Sequence, residues 1–123
     1  MGISLLQQTG TVIPSFSAAG KVSTTIGYTS AITAGSLLTG VLSLGSSASI
    51  VSTLTDSAGN VWLIGRREQS TAGTSARIDL WYARNAVGST NTVTVTLDST
   101  NAGTHQFGFH EWGGASTESD VLT

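Results

Sequence analysis

Seven carboxylates are the first candidates for chemistry, and they are scattered about one to a strand or turn: Asp56, Glu68, Asp79, Asp98, Glu111, Glu118 and Asp120. Hydrolysis of a glycosidic bond takes two carboxyl groups roughly 5–10 Å apart across that bond. Glu68 with Glu111, or Asp79 with Glu111, would meet only if their strands were neighbours; solvated carboxylates on outer faces are the plainer expectation. Hydroxyls abound, with 18 Ser and 19 Thr, yet no Gly-x-Ser-x-Gly elbow occurs and neither histidine has an evident Ser and acid to work with. His105 and His110 are five positions apart, an odd spacing that on one strand sends them to opposite faces, so they cannot chelate a single zinc ion locally. The absence of cysteine removes disulfides and thiolate metal sites. The turn from Asp56 to Asn60 offers oxygens of both residues to calcium, with Asp98 as a remote partner. Asp and Asn at turn ends, however, ordinarily cap their own backbone amides. Lys21 is the only lysine and opens a strand, which invites an intramolecular isopeptide bond to Asn or Asp beside a carboxyl such as Glu111; a surface lysine is the simpler reading. These residues predict no enzyme, no cofactor and no metal.

The aromatics are a better lead, and the elements that carry them can be read from period-2 alternation. Asn91–Leu97 puts Val93, Val95 and Leu97 on one face and three threonines on the other, a half-buried antiparallel strand. On His105–Trp112, Phe107, Phe109 and Glu111 share one face, while Gln106, His110 and Trp112 share the other. On Ser75–Arg84, Ile78, Leu80 and Tyr82 alternate with Arg77, Asp79 and Trp81. Taking the phenylalanine face and the Ile78–Leu80–Tyr82 face as core leaves Trp112 with His110, and Trp81 with Arg77 and Asp79, on the outside. Exposed tryptophan flanked by polar groups stacks on pyranose rings or anchors interfaces. Packing of both indoles into the core or under loops is the competing expectation, and Trp62 reads as core.

Further strands are expected at Ile3–Gln8 and Thr11–Phe16 (a pair, or one strand bent at Pro14), Lys21–Tyr28, Ser36–Leu44, Ser49–Thr55 and Val61–Gln69. Ser36–Leu44 is nearly continuously apolar, the pattern of a central strand buried on both faces. Asp56–Asn60 is expected to reverse the chain between paired strands, with Gly59 at positive φ. Helical periodicity is absent. The fold class is therefore all-β, an antiparallel β-sandwich or jelly roll of about eight strands. One domain is expected over 1–114. Residues 115–123 form a polar tail, or the start of a further or exchanged strand through Val121 and Leu122.

Composition narrows the partners. Only 10% of residues are charged and the net charge is −2, so no basic patch awaits nucleic acid. No apolar run approaches the length of a membrane-spanning helix, and Met1-Gly2-Ile3-Ser4 lacks the basic start of a signal peptide.

The order of Asp56-Ser-Ala-Gly-Asn60 with Val61-Trp62, Leu80-Trp-Tyr-Ala-Arg84-Asn85, Asn91-Thr-Val-Thr-Val-Thr96 and His110-Glu-Trp-Gly-Gly114 resembles a poorly characterised β-sandwich module of bacterial secreted and phage structural proteins. The likeness covers roughly residues 20–114. It implies a non-enzymatic extracellular, cell-surface or virion role and brings no catalytic residues. Members of that family continue for several more strands, which implies either a shorter variant of the domain or a fragment that leaves a sheet edge open. Together these readings predict a structural or assembly module whose partners are copies of itself or another surface or virion protein, met through sheet edges or an apolar interface. The alternative is a carbohydrate-binding or adhesive module using Trp81 and Trp112, with His110, Arg77 and Asp79 beside them.

Overall fold

The computed structural model describes residues 2–13, 23–45, 51–70, 76–98 and 105–114, with the side chains of 11–13 left aside. Eight strands make up the described fold: β1 (Ser4–Ile13), β2 (Ser23–Gly27), β3 (Leu37–Leu44), β4 (Val51–Asp56), β5 (Leu63–Gln69), β6 (Arg77–Ala83), β7 (Thr92–Leu97) and β8 (His105–Gly113). No helix occurs among the described residues. The strands form a five-stranded sheet, β1-β8-β3-β6-β5, and a three-stranded sheet, β2-β7-β4, with every pairing antiparallel. The protein is an all-β sandwich.

Pairing β1 with β8, β2 with β7 and β3 with β6 is what results when a long antiparallel ribbon is rolled up, the jelly-roll path. The roll departs from symmetry at β5. The next nested partner of β5 would be β4, but β5 turns back on β6 through the 70–76 connection and widens the first sheet. Arg67 spans the gap this leaves. Its guanidinium binds Asp79 on β6 and also donates to the Val51 carbonyl of β4 at 2.9 Å, tying one sheet to the other.

Alternation places the core as expected on β7 and β8: Val93, Val95, Leu97, Phe107 and Phe109 are all buried. Phe109 sits at the centre, meeting Trp62 and Tyr28 edge-on at ring-centroid distances of 5.9 and 6.5 Å. Gly40 on β3 makes room for it, because a Cβ there would lie 2.7 Å from the phenyl ring.

Three expectations are corrected. Ile78 and Leu80 were expected inside, but they point outward and are 49% and 45% exposed. The inner face of β6 instead carries Asp79, Trp81 and Ala83, opposite Leu42, Gly40 and Leu38 of β3. Burial of Asp79 is tolerable because Arg67 neutralises it, and Trp81 packs on the core beside it. Second, β3 is central but covered on its inner face only: Leu38, Leu42 and Leu44 are buried, while Val41 faces out. Third, the Asp56–Asn60 turn does not join a hairpin. It carries the chain from the three-stranded sheet to the five-stranded one, although Gly59 does adopt φ +80°. The N-terminal segment is one strand as far as Ile13. Pro14, Lys21 and residues 115–123 lie outside the described residues. The last described strand, β8, is flanked by β1 and β3. Among the described residues the edges of the larger sheet are β1 and β5.

Candidate functional site

The outer face of the five-stranded sheet is the part of the surface that the core does not explain. Cross-strand partners share a face, so the register lays this surface out in rows. One row runs Leu63, Tyr82, Thr39, His110, Gln8 from β5 to β1; the next runs Arg66, Leu80, Val41, Gly108, Gly10; a third runs Glu68, Ile78, Ser43, Gln106. Leu37, Trp112 and Leu5 form a shorter row beyond the first.

The β5–β6–β3 side of the face is apolar. Leu63, Leu80, Ile78 and Val41 are all exposed, with Tyr82 half-buried among them. Arg66 and Glu68 pair with each other at its border, both largely in solvent. Adjacent exposed aliphatic side chains on two central strands are the usual mark of an interaction surface.

The β8–β1 side is more polar. Trp112 and His110 stand outside the phenylalanine core, as their spacing predicted, and their rings stack at 6.0 Å with 27° between planes. The Trp112 indole N–H donates to Thr39 Oγ1 at 2.8 Å, which fixes the ring on the sheet. Below them, Gly108 and Gly10 pair across the strands, and a trough of about 680 Å³ opens over them.

The remaining site residues separate from this pair. Trp81 lies on the inner face of β6 with Arg77 and Asp79, so the two tryptophans do not share a surface. Asp79 is fully buried and receives two Arg67 hydrogen bonds at 2.9 and 2.7 Å. Arg77 donates to Gln69 at 2.6 Å.

The carboxylates do not converge either. Glu111 is buried at the opposite end of the sandwich, where it accepts from Gln7 Nε2 at 2.6 Å, Thr33 N–H at 2.7 Å and Ser36 Oγ at 2.9 Å. Burial alone would raise its pKa, but these hydrogen bonds prevail and hold it below the usual carboxylate range. Asp79 faces Leu42 and Glu111 faces Leu38, four residues apart along β3, while Glu68 is on the other side of the sheet. Tyr28 is raised above the ordinary phenol range by its burial, then by the charges of Glu111 and Asp56.

The calcium candidates Asp56 and Asn60 are occupied with each other and with the chain. Asp56 Oδ1 accepts from the Ala58 and Asn60 amides, and Oδ2 accepts from Asn60 Nδ2 and Trp62 Nε1. Asn60 Oδ1 accepts from the Val87 amide. Burial again opposes ionisation of Asp56, and the donors, Asn60 and Trp62 foremost, outweigh it and lower its pKa. Among the described residues no group of three or more His, Asp or Glu is placed to hold a metal ion.

Sequence reasoning missed Gly10, Gly108, Gln8, Val41 and Leu80 as surface features, although it had put Gln106 on the outer face with His110 and Trp112. A signal was present: glycine at strand-interior positions, as in Phe107-Gly108-Phe109, often marks a close approach by a ligand or another backbone. No protein-family model matches the chain, and neither a curated protein nor a solved structure matches it.

Proposed function

We propose that this chain is a non-enzymatic structural module that assembles with copies of itself, through the apolar outer face of its five-stranded sheet, on a virion or bacterial cell surface. One observation carries the reading: the side of β3 and β6 turned away from the core carries the exposed aliphatic residues Val41, Leu80 and Ile78. Val41 pairs with Leu80, and Ile78 and Leu63 extend the patch. Exposing such a surface is costly unless a partner covers it. A second copy suits it because the net charge is only −2, so like surfaces approach with little repulsion. The neighbouring edge strand β1 adds to this, since Gly2 through Pro14 contains no charged residue to discourage strand addition. The setting on a virion or cell surface rests on the motif resemblance and on the jelly-roll path, which recurs in capsid and lectin domains.

Light scattering during size exclusion tests the assembly. At about 100 μM, an affinity in the micromolar range or better gives dimers or larger species. Leu80→Lys, at a solvent-facing position beside Arg66, should return the chain to monomers without lowering its melting midpoint. A monodisperse wild-type monomer would reject self-assembly, and an oligomer indifferent to Leu80→Lys would reject this face.

A further inference from the structure

The trough on the β8–β1 side has a polar lining of its own and meets the apolar patch at Val41. Its floor is the Gly108–Gly10 pair, where two neighbouring strands lack side chains at facing positions. One wall is the row of His110 and Gln8, and the other is the row of Gln106 and Ser43. Val41 closes the β3 end. The channel therefore runs across the strands, spanning about 10 Å from β1 to β3 at ordinary strand spacing. Its volume of about 680 Å³ falls in the range of small-ligand sites.

The lining decides the ligand. It contains no Asp, Glu, Lys or Arg, so nothing there would compensate a phosphate, sulfate or carboxylate brought out of water. The backbone groups beneath are engaged in the β1–β8 and β3–β8 ladders, which leaves an extended peptide without main-chain partners. What faces the channel is two carboxamides, a hydroxyl and an imidazole, and each carboxamide both donates and accepts. A ligand hydroxyl also does both. The glycine floor and Val41 give flat, weakly polar contact for the C–H face of a sugar ring, and His110, backed by Trp112, supplies an aromatic wall.

We propose that this trough binds a neutral, hydroxyl-rich oligosaccharide laid across β1, β8 and β3. The glycines are the specific requirement, because any side chain at 108 would stand in the channel. Position 108 accepts one without strain: a Cβ there meets only His110 Cε1, at 3.6 Å. Gly10 is different, since its Cβ would lie 2.6 Å from the Phe107 carbonyl oxygen.

The test uses the full chain, ¹⁵N-labelled, titrated separately with maltohexaose, cellohexaose, xylohexaose and chitohexaose, with polygalacturonate as a charged comparison. At least one neutral hexaose should produce saturable shifts at the Gln8 and Gln106 side-chain amides, with a Kd of about 0.1–5 mM. Gly108→Val should preserve the dispersed spectrum, since valine suits a strand, and should weaken binding at least about tenfold. Gln106→Ala should weaken it by a smaller factor. No saturable shift with any neutral hexaose up to about 20 mM would overturn the proposal, as would unchanged binding by Gly108→Val or a preference for polygalacturonate. Leu80 lies outside the trough, so the titration repeated on Leu80→Lys reads sugar binding apart from assembly, which would otherwise cover Val41 at the channel's end.

Discussion

Replacing Asp56 by Asn removes one charge and one acceptor oxygen from a site where both oxygens are fully used. Oδ1 holds the Ala58 and Asn60 amides, each at 3.0 Å, and Oδ2 holds Asn60 Nδ2 at 2.9 Å and the Trp62 indole N–H at 2.7 Å. An asparagine can offer its oxygen to only one of these pairs. If it serves the two amides, its NH₂ confronts the indole N–H, and Trp62 is only 7% exposed. A buried donor left without an acceptor costs about 1–3 kcal/mol. Loss of charge on the two surviving bonds adds about 1 kcal/mol, kept small because Asp56 is half-exposed. Asp56→Asn should therefore cost about 3 kcal/mol, or roughly 10 °C in Tm for a domain of this size. Urea unfolding followed by tryptophan fluorescence measures it, and Trp62→Phe completes a double-mutant cycle. The coupling between Asp56 and the indole should be about 1–2 kcal/mol. A loss under about 0.5 kcal/mol, or a coupling near zero, would refute the claim that this carboxylate organises the crossing between the sheets.

Gly59→Val should cost about 1–2 kcal/mol from backbone strain alone, because φ is +80° and nothing lies within 4 Å of the added Cβ; an unchanged urea midpoint would contradict it. Asp79→Ala should cost about 2–3 kcal/mol by stranding Arg67, less than for a wholly buried pair because the Arg67 side chain is 30% exposed. The double variant Arg67→Met, Asp79→Leu should recover to within about 1 kcal/mol of wild type, and failure to recover would show that the ion pair stabilises in its own right. Stability should fall with acid: Asp56 and Glu111 stay ionised to lower pH when folded than when unfolded, so the unfolded chain takes up more protons. Their contribution is complete above about pH 5 and is lost as pH drops through their lowered folded values. His105, whose pKa burial lowers, begins its own loss sooner, as pH falls below its ordinary value of 6.5. Urea midpoints that stay flat from pH 7 to pH 3.5 would contradict all three.

The parts of this fold that could be read from sequence are those where local pattern and tertiary environment agree. Val93, Val95 and Leu97 alternate with threonine, and Phe107 and Phe109 flank a glycine, so only one side of either strand can be core. The same reasoning put Trp112 and His110 outside. It failed on β6, where the more apolar face, Ile78–Leu80–Tyr82, is the outer one. The deciding partner is Arg67, twelve positions from Asp79, and no local count of hydrophobic residues reveals that a buried carboxylate has its counterion waiting. The turn at Asp56 shows the same division: its Asx chemistry and its glycine were legible, whereas its role as a bridge between sheets depends on which distant strands β4 and β5 find. The trough was hidden for a related reason, since its floor joins two glycines far apart in sequence, Gly10 and Gly108.

The rolled path has a consequence for how the chain reaches its native state. The partner of β1 is β8, so Gln7 and Glu111, 104 positions apart, meet only after nearly every other strand has been made. The β5–β6 pair joins strands adjacent in sequence, so it closes at low entropic cost, whereas the β1–β8 pair encloses the six strands between them. On a ribosome, β1 emerges before the other seven strands and waits longest for its partner. During that interval its uncharged backbone is open to any other extended segment, including β1 of a neighbouring nascent chain.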